Sequence, residues 1–167
     1  MSSFTRKARA AIGRSARRKG ITFERAIAKR FRRWWPNAKR GLQPQGGGNA
    51  PDVDNVSRFW VECKAWSKRS YYPKLVAKAF DQACIDQRAA VRISLNLWWR
   101  EVIVVWKVDF MPICVAGDPL AFSMMGIHTA GLESIYTPSG REIVAVQWEE
   151  FERAVDTVEK PQGAIAA

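Results

Sequence analysis

Asp52, Glu62 and Lys64 are the residues whose types and spacing can do chemistry. They sit in the run from Pro51 to Lys64, where Asp54-Asn55 and Ser57-Arg58 carry turn chemistry and Phe59 to Ala65 alternates as a strand does. Alternation puts Glu62 and Lys64 on one face with Trp60, and Val61, Cys63 and Ala65 on the other, which suits a core. Two acids and a lysine converging at adjacent strand ends suit a hard divalent cation, because Mg²⁺ prefers carboxylate oxygens and keeps several of its waters. A metal-bound water is a nucleophile near neutral pH, and the ion stabilises charge on a phosphorane-like transition state. A lysine beside a ligand can hold or deprotonate that water, or neutralise a phosphate. Asp54 lies on the same face as Asp52, so either can be the acid; Asp before Asn is more commonly a turn residue.

The elements that must position these groups follow from periodicity. Phe23, Ile27, Phe31 and Trp34 predict a helix over 21–35, with Thr22 as its cap, Glu24 in its first turn and Pro36 as its stop. An acid in a first turn is favourable through the helix dipole alone, so Glu24 has a structural reading beside a functional one. Residues 38–43 suggest a short strand, and 43–50 form a glycine-rich loop. Its glycines let backbone approach a phosphate, and no Gly-Lys-Ser/Thr follows to make it a nucleotide loop. A second helix runs from Pro73 to about Ala90, with Val76, Phe80, Ala83 and Cys84 as its packing stripe. Gln82 and Gln87 on it are candidates for the cleft or for solvent. Arg92–Trp98 alternates as a strand, and Val102 to Trp106 reads as a strand covered on both faces. Ser134–Tyr136 and Glu142–Val146 flank a turn and predict a hairpin; Trp148–Val158 predicts a closing helix with Phe151 and Val155 inward. The order of elements predicts an α/β fold with a central mixed sheet flanked by helices.

Charge points to the partner. The chain of 167 residues carries +11 overall, and residues 1–40 hold fourteen Lys or Arg against one acid, Glu24. A basic segment on a near-neutral body fits a polyanion, most simply nucleic acid. Residues 1–19, interrupted by Gly13 and Gly20, read as a flexible arm or marginal helix that contacts phosphates through Arg14, Arg17, Arg18 and Lys19. Arg25 extends that surface, and Lys68 and Arg69 interleave with Trp66, Tyr71 and Tyr72 after the strand. Residues 20–158 read as one domain, with a motif core over 20–110, a hairpin and helix over 111–158, and a tail at 159–167. Three widely spaced cysteines offer neither a disulfide framework nor a zinc pattern and fit a reducing, cytoplasmic setting. One histidine, His128, leaves Ser-His and His-metal chemistry without support. No apolar run reaches membrane-spanning length, so no membrane partner is expected.

Pro51-Asp52 followed by Glu62-Cys63-Lys64 resembles the PD-(D/E)xK nuclease signature. Lys19-Gly20-Ile21-Thr22-Phe23-Glu24-Arg25 is similar to the start of archaeal-type Holliday-junction resolvases, and Gly46-Gly47-Gly48 is similar to their glycine-rich lead-in. The resemblance covers about residues 19–110. It implies a restriction-endonuclease-like core and a metal-dependent endonuclease acting on branched or junction DNA. It implies Mg²⁺ or Mn²⁺ on Asp52 and Glu62 with the Cys63 carbonyl, Lys64 on the water, Glu24 completing the site, and Gly47 and Gly48 beside the scissile phosphate. Junction resolution implies a two-fold homodimer, since two symmetric cuts need two sites, and the tryptophan-rich strands offer apolar surface for the contact. A non-catalytic basic nucleic-acid-binding protein, and a repair or sequence-specific nuclease on the same core, are the alternatives.

Overall fold

In the computed structural model, which describes residues 3–42, 50–66, 72–93 and 100–159, one helix, α1 (Ser3–Phe31), spans both the expected arm and the expected first helix. Residues 3–19, expected as a flexible arm or a marginal helix, are helical and continuous with the helix that carries Phe23 and Ile27. Glycine inside a helix costs about 1 kcal/mol relative to alanine, but Gly13 and Gly20 stand among Ala, Arg and Lys, which are strong helix formers. Thr22 is mid-helix, not a cap: its hydroxyl donates to the Arg18 carbonyl at 2.9 Å. Glu24 correspondingly sits well inside the helix. The apolar stripe is as expected, with Phe23, Ile27, Phe31 and Trp34 all buried.

Seven strands form one mixed sheet: β1 (Lys39–Arg40), β2 (Val53–Asp54), β3 (Phe59–Trp66), β4 (Glu101–Val108), β5 (Cys114–Gly117), β6 (Ile135–Tyr136) and β7 (Glu142–Gln147), in the order β1-β2-β3-β4-β5-β7-β6. The β3–β4 pair is parallel and every other pairing is antiparallel. A parallel pair needs a crossover, which α2 (Tyr72–Ile93) supplies. This helix runs through Arg92 and Ile93, so the expected strand does not begin there; 94–99 lie outside the described residues. The hairpin of β6 and β7 and the closing helix α4 (Trp148–Val158) match expectation. Strand β5 and the short helix α3 (Pro119–Met124) went unread, although Asp118-Pro119 is a start signal: the Asp118 carboxylate accepts from the Leu120 and Ala121 amides at 2.8 and 3.1 Å. Because β5, β6 and β7 extend the same sheet, residues 111–158 are part of the domain rather than an appendage.

Strand alternation sorts the core into two layers. Phe59, Val61 and Cys63 pack with Ile103 and Val105 against α1 and α4, centred on Phe31, Trp148 and Phe151. Trp60 joins Val102, Val104, Trp106 and Val108 against Val76, Phe80 and Ala83 of α2. Strand β4 is apolar throughout because both its faces are covered. The tryptophans of β3 and β4 belong to this packing: Trp60 and Trp106 are buried, and Trp66 and Tyr72 rest against Trp106. Trp60 and Trp106 are therefore not free apolar surface, and Trp98 and Trp99 lie outside the described residues.

One glycine sets the position of Asp52. The Gly41 amide donates to the Asp52 carbonyl at 2.8 Å, and a Cβ on Gly41 would stand 1.9 Å from the Pro51 carbonyl oxygen. Backbone cannot swing aside as a side-chain tip can. Gly41→Ala is expected to cost about 3 kcal/mol, as severe overpacking does, and thermal melting measures it; a variant that melts with the parent contradicts the close approach.

Candidate active site

Strands β2 and β3 carry the site. The Asp52 amide donates to the Val61 carbonyl at 2.9 Å, which holds the residue against β3 just before β2 begins. Its carboxylate accepts from the Cys63 amide at 2.8 Å, and the residue is only 4% exposed. A strand residue directs its N–H and C=O to the same side, so the Cys63 carbonyl faces the same edge as Asp52. Glu62 and Lys64 project together from the α2 face of β3 and form an ion pair. Asp54 is the turn residue: its carboxylate accepts from the Asn55 amide at 2.8 Å, and Asn55 takes a left-handed φ of 60°.

The electrostatics set this cluster apart. Burial, then the charge of Glu62, raises Asp52 to about 7, against the opposing pull of the Cys63 N–H and Lys64. Burial also raises Glu62, opposed by Lys64, with Asp86 and Glu24 adding to the rise. Glu24 therefore acts on both acids, and the four sequence-derived residues share one electrostatic neighbourhood. Burial works to lower the Lys64 ammonium, but Glu62 and Asp52 outweigh it and raise it, so Lys64 stays charged near neutral pH. Burial, with Asp52 and Glu62, raises the Cys63 thiol well above its ordinary range. The sulfur stays protonated, and only the main chain of Cys63 is suited to a ligand role.

Glu24 does not join the other acids directly. It is held by the Arg40 guanidinium at 2.5 Å, a partner that the sequence did not suggest. Among the described residues, no three His, Cys, Asp or Glu side chains are gathered as a ligand cluster. The oxygens that could hold a small dication here are those of Asp52 and Glu62 with the Cys63 carbonyl, all hard donors. Buried Asp52 and half-buried Glu62, both held above their usual range, carry a charge conflict of the kind that a dication would relieve.

The expected nucleic-acid contacts divide. Arg14, Arg17, Arg18 and Arg25 are exposed along α1. Lys19 is not free: its ammonium lies 2.6 and 2.7 Å from the Asp109 carboxylate oxygens and ties α1 to the end of β4. Gly47, Gly48, Lys68 and Arg69 lie outside the described residues. Gln87 is buried and donates to the Arg100 carbonyl at 2.7 Å, a structural tie between α2 and β4; Gln82 is exposed and donates to Asp86 at 3.0 Å. Asp86, whose charge reaches Glu62, was missed because nothing local marks it; only the crossover brings α2 over β3.

Fold and site together define an α/β protein with a seven-stranded mixed sheet, helices on both faces, and a buried Asp52 just before β2, beside half-buried Glu62 and Lys64 within β3. Comparison with protein families, with curated proteins and with solved structures gives no match. Among the described residues, no helix is long and apolar enough to cross a membrane.

Proposed function

We propose that this chain is a metal-dependent endonuclease with a restriction-endonuclease-like core, hydrolysing DNA phosphodiester bonds with a preference for branched or junction DNA. The observation that carries the reading is the pair of buried Asp52 and half-buried Glu62, Asp52 raised by burial and by the charge of Glu62, and Glu62 raised by burial with Asp86 and Glu24 adding to it, with the Lys64 ammonium against Glu62. Asp52, Glu62 and the Cys63 carbonyl would hold Mg²⁺ or Mn²⁺. Such an ion supplies a Lewis acid and an acidified water. Lys64 is charged, so it serves by orienting water and offsetting phosphate charge rather than by removing a proton. Glu24, paired to Arg40, shapes the field around both acids.

The exposed arginines of α1 form the phosphate-contacting surface. Replacing Arg14, Arg17 and Arg25 together by alanine is expected to lower the slope of log affinity against log salt by roughly 2–3 and to weaken all duplexes alike. An unchanged slope in a salt titration places the DNA elsewhere. Resolution of junctions further requires a two-fold dimer, which analytical ultracentrifugation with and without a four-way junction tests.

The second reading is a non-catalytic basic nucleic-acid-binding protein. It is favoured by the partners that the acids already have: Lys64 for Glu62, Arg40 for Glu24 and the Cys63 amide for Asp52. Incubation with junction, linear duplex and single-stranded DNA in Mg²⁺, Mn²⁺ or EDTA separates the two. Metal-dependent cutting supports the nuclease, and binding without cutting in both metals supports the binding protein. Equal cutting of junction and matched linear duplex points to a repair or sequence-specific enzyme on the same core.

A further inference from the structure

A cavity of about 410 Å³ opens between α1 and the carboxyl ends of the parallel strands β3 and β4. It shares no lining residue with the acid site. Crevices beyond the carboxyl ends of parallel strands are where open α/β sheets bind ligands. The floor is apolar, made by Phe23 and Ala26 of α1 and by Ala65 of β3. Lys107 stands opposite Ala65 in the strand register, and Arg18 lines the cavity from α1. Among the described residues, neither Arg18 nor Lys107 makes a salt bridge. The third cation, Lys19, is neutralised by Asp109 at the wall. The Thr22 hydroxyl gives its proton to the Arg18 carbonyl, so its lone pairs remain open to a donor.

Two unneutralised cations beside an apolar floor suit a ligand with an anionic head and a flat, weakly polar body. The volume lies within the roughly 300–1,000 Å³ of small-ligand sites. We infer that this pocket binds a nucleoside monophosphate, its phosphate on Arg18 and Lys107 and its ring on Phe23, Ala26 and Ala65. The same chemistry can arrive as a free nucleotide or as the phosphorylated end of a DNA strand. Either way the site is a second binding point beyond the metal-dependent centre and independent of it.

Titration calorimetry with dAMP in EDTA tests this, since no metal or cleavage enters the readout. Arg18→Ala and Lys107→Ala are each expected to weaken dAMP binding about tenfold or more, as loss of a charge-assisted hydrogen bond does. Ala26→Trp, at an exposed helix position, fills the cavity and abolishes binding without burdening the fold. Arg153→Ala, on α4, leaves affinity unchanged, and deoxyadenosine without phosphate binds at least tenfold more weakly. Displacement of dAMP by a 5′-phosphorylated oligothymidylate identifies a strand end as the natural occupant; failure to displace it identifies a free nucleotide. Absence of dAMP binding in the millimolar range overturns the inference, as does Ala26→Trp binding dAMP as the parent does. Glu62→Gln still binds dAMP, so this test fails or succeeds separately from the nuclease reading.

Discussion

Glu62→Gln and Lys64→Ala variants are expected to bind junction DNA within about twofold of the parent and to cut it at least ~10³-fold more slowly, the scale lost when metal or transition-state charge stabilisation is removed. The reason is local. Glu62 gives the site its second carboxylate, and glutamine at the same place keeps the shape while withdrawing the anionic oxygen. Lys64 is the ammonium held against Glu62, and its loss removes a cation that opposes the rise of both acids. On the proposed reading binding is spared, because the exposed arginines assigned to phosphate contacts stand on α1 and not on the strand that carries Glu62 and Lys64. Single-turnover cleavage with saturating enzyme, paired with a binding titration in Ca²⁺, reads the two effects apart. Melting curves confirm that each variant is folded. Either variant cutting at the parent's rate removes the catalytic role of this pair.

Asp52→Asn is expected to stabilise the protein at alkaline pH while abolishing metal-dependent cutting. Asp52 titrates at about 7 in the folded chain against 3.8 for the ordinary carboxyl. Between those values the folded state keeps a proton that the unfolded chain has released, so stability falls as pH rises through that window. It is unaffected by this group below about pH 4, and the full penalty is in place above about pH 7. At ~1.4 kcal/mol per pH unit, the penalty is of the order of 2–4 kcal/mol. Asparagine keeps an oxygen for the Cys63 amide and carries no charge. The variant should melt with the parent near pH 4 and roughly 5–15 °C above it at pH 8. Added Mg²⁺ should close most of that gap by stabilising the parent alone. Parallel melting profiles of variant and parent from pH 4 to 8 would show that Asp52 ionises normally.

Part of this was legible before any fold was known. The alternation from Phe59 to Trp66 assigned Glu62 and Lys64 to one face and Val61 and Cys63 to the other, and both layers of the core agree. The turn chemistry of Asp54-Asn55 anticipated the left-handed residue between β2 and β3. Periodicity located the buried stripes of α1, α2 and α4. What went wrong was also local: two glycines suggested a break in α1 that helix-forming neighbours and the anchoring of its last turns override.

Side-chain order along the chain dictates which way each residue faces, because a strand repeats every two residues and a helix every 3.6. It therefore determined the two-sided β3 strand, the acid-and-lysine trio and the basic face of α1. It could not determine which charges meet, because that depends on contacts between segments far apart along the chain. Lys19 finds Asp109 ninety positions away, Glu24 finds Arg40 from a different element, and Asp86 reaches Glu62 only because α2 crosses over the sheet. Packing alone decided that Asp52 lies almost dry against the Cys63 amide, and burial is what moves its proton affinity.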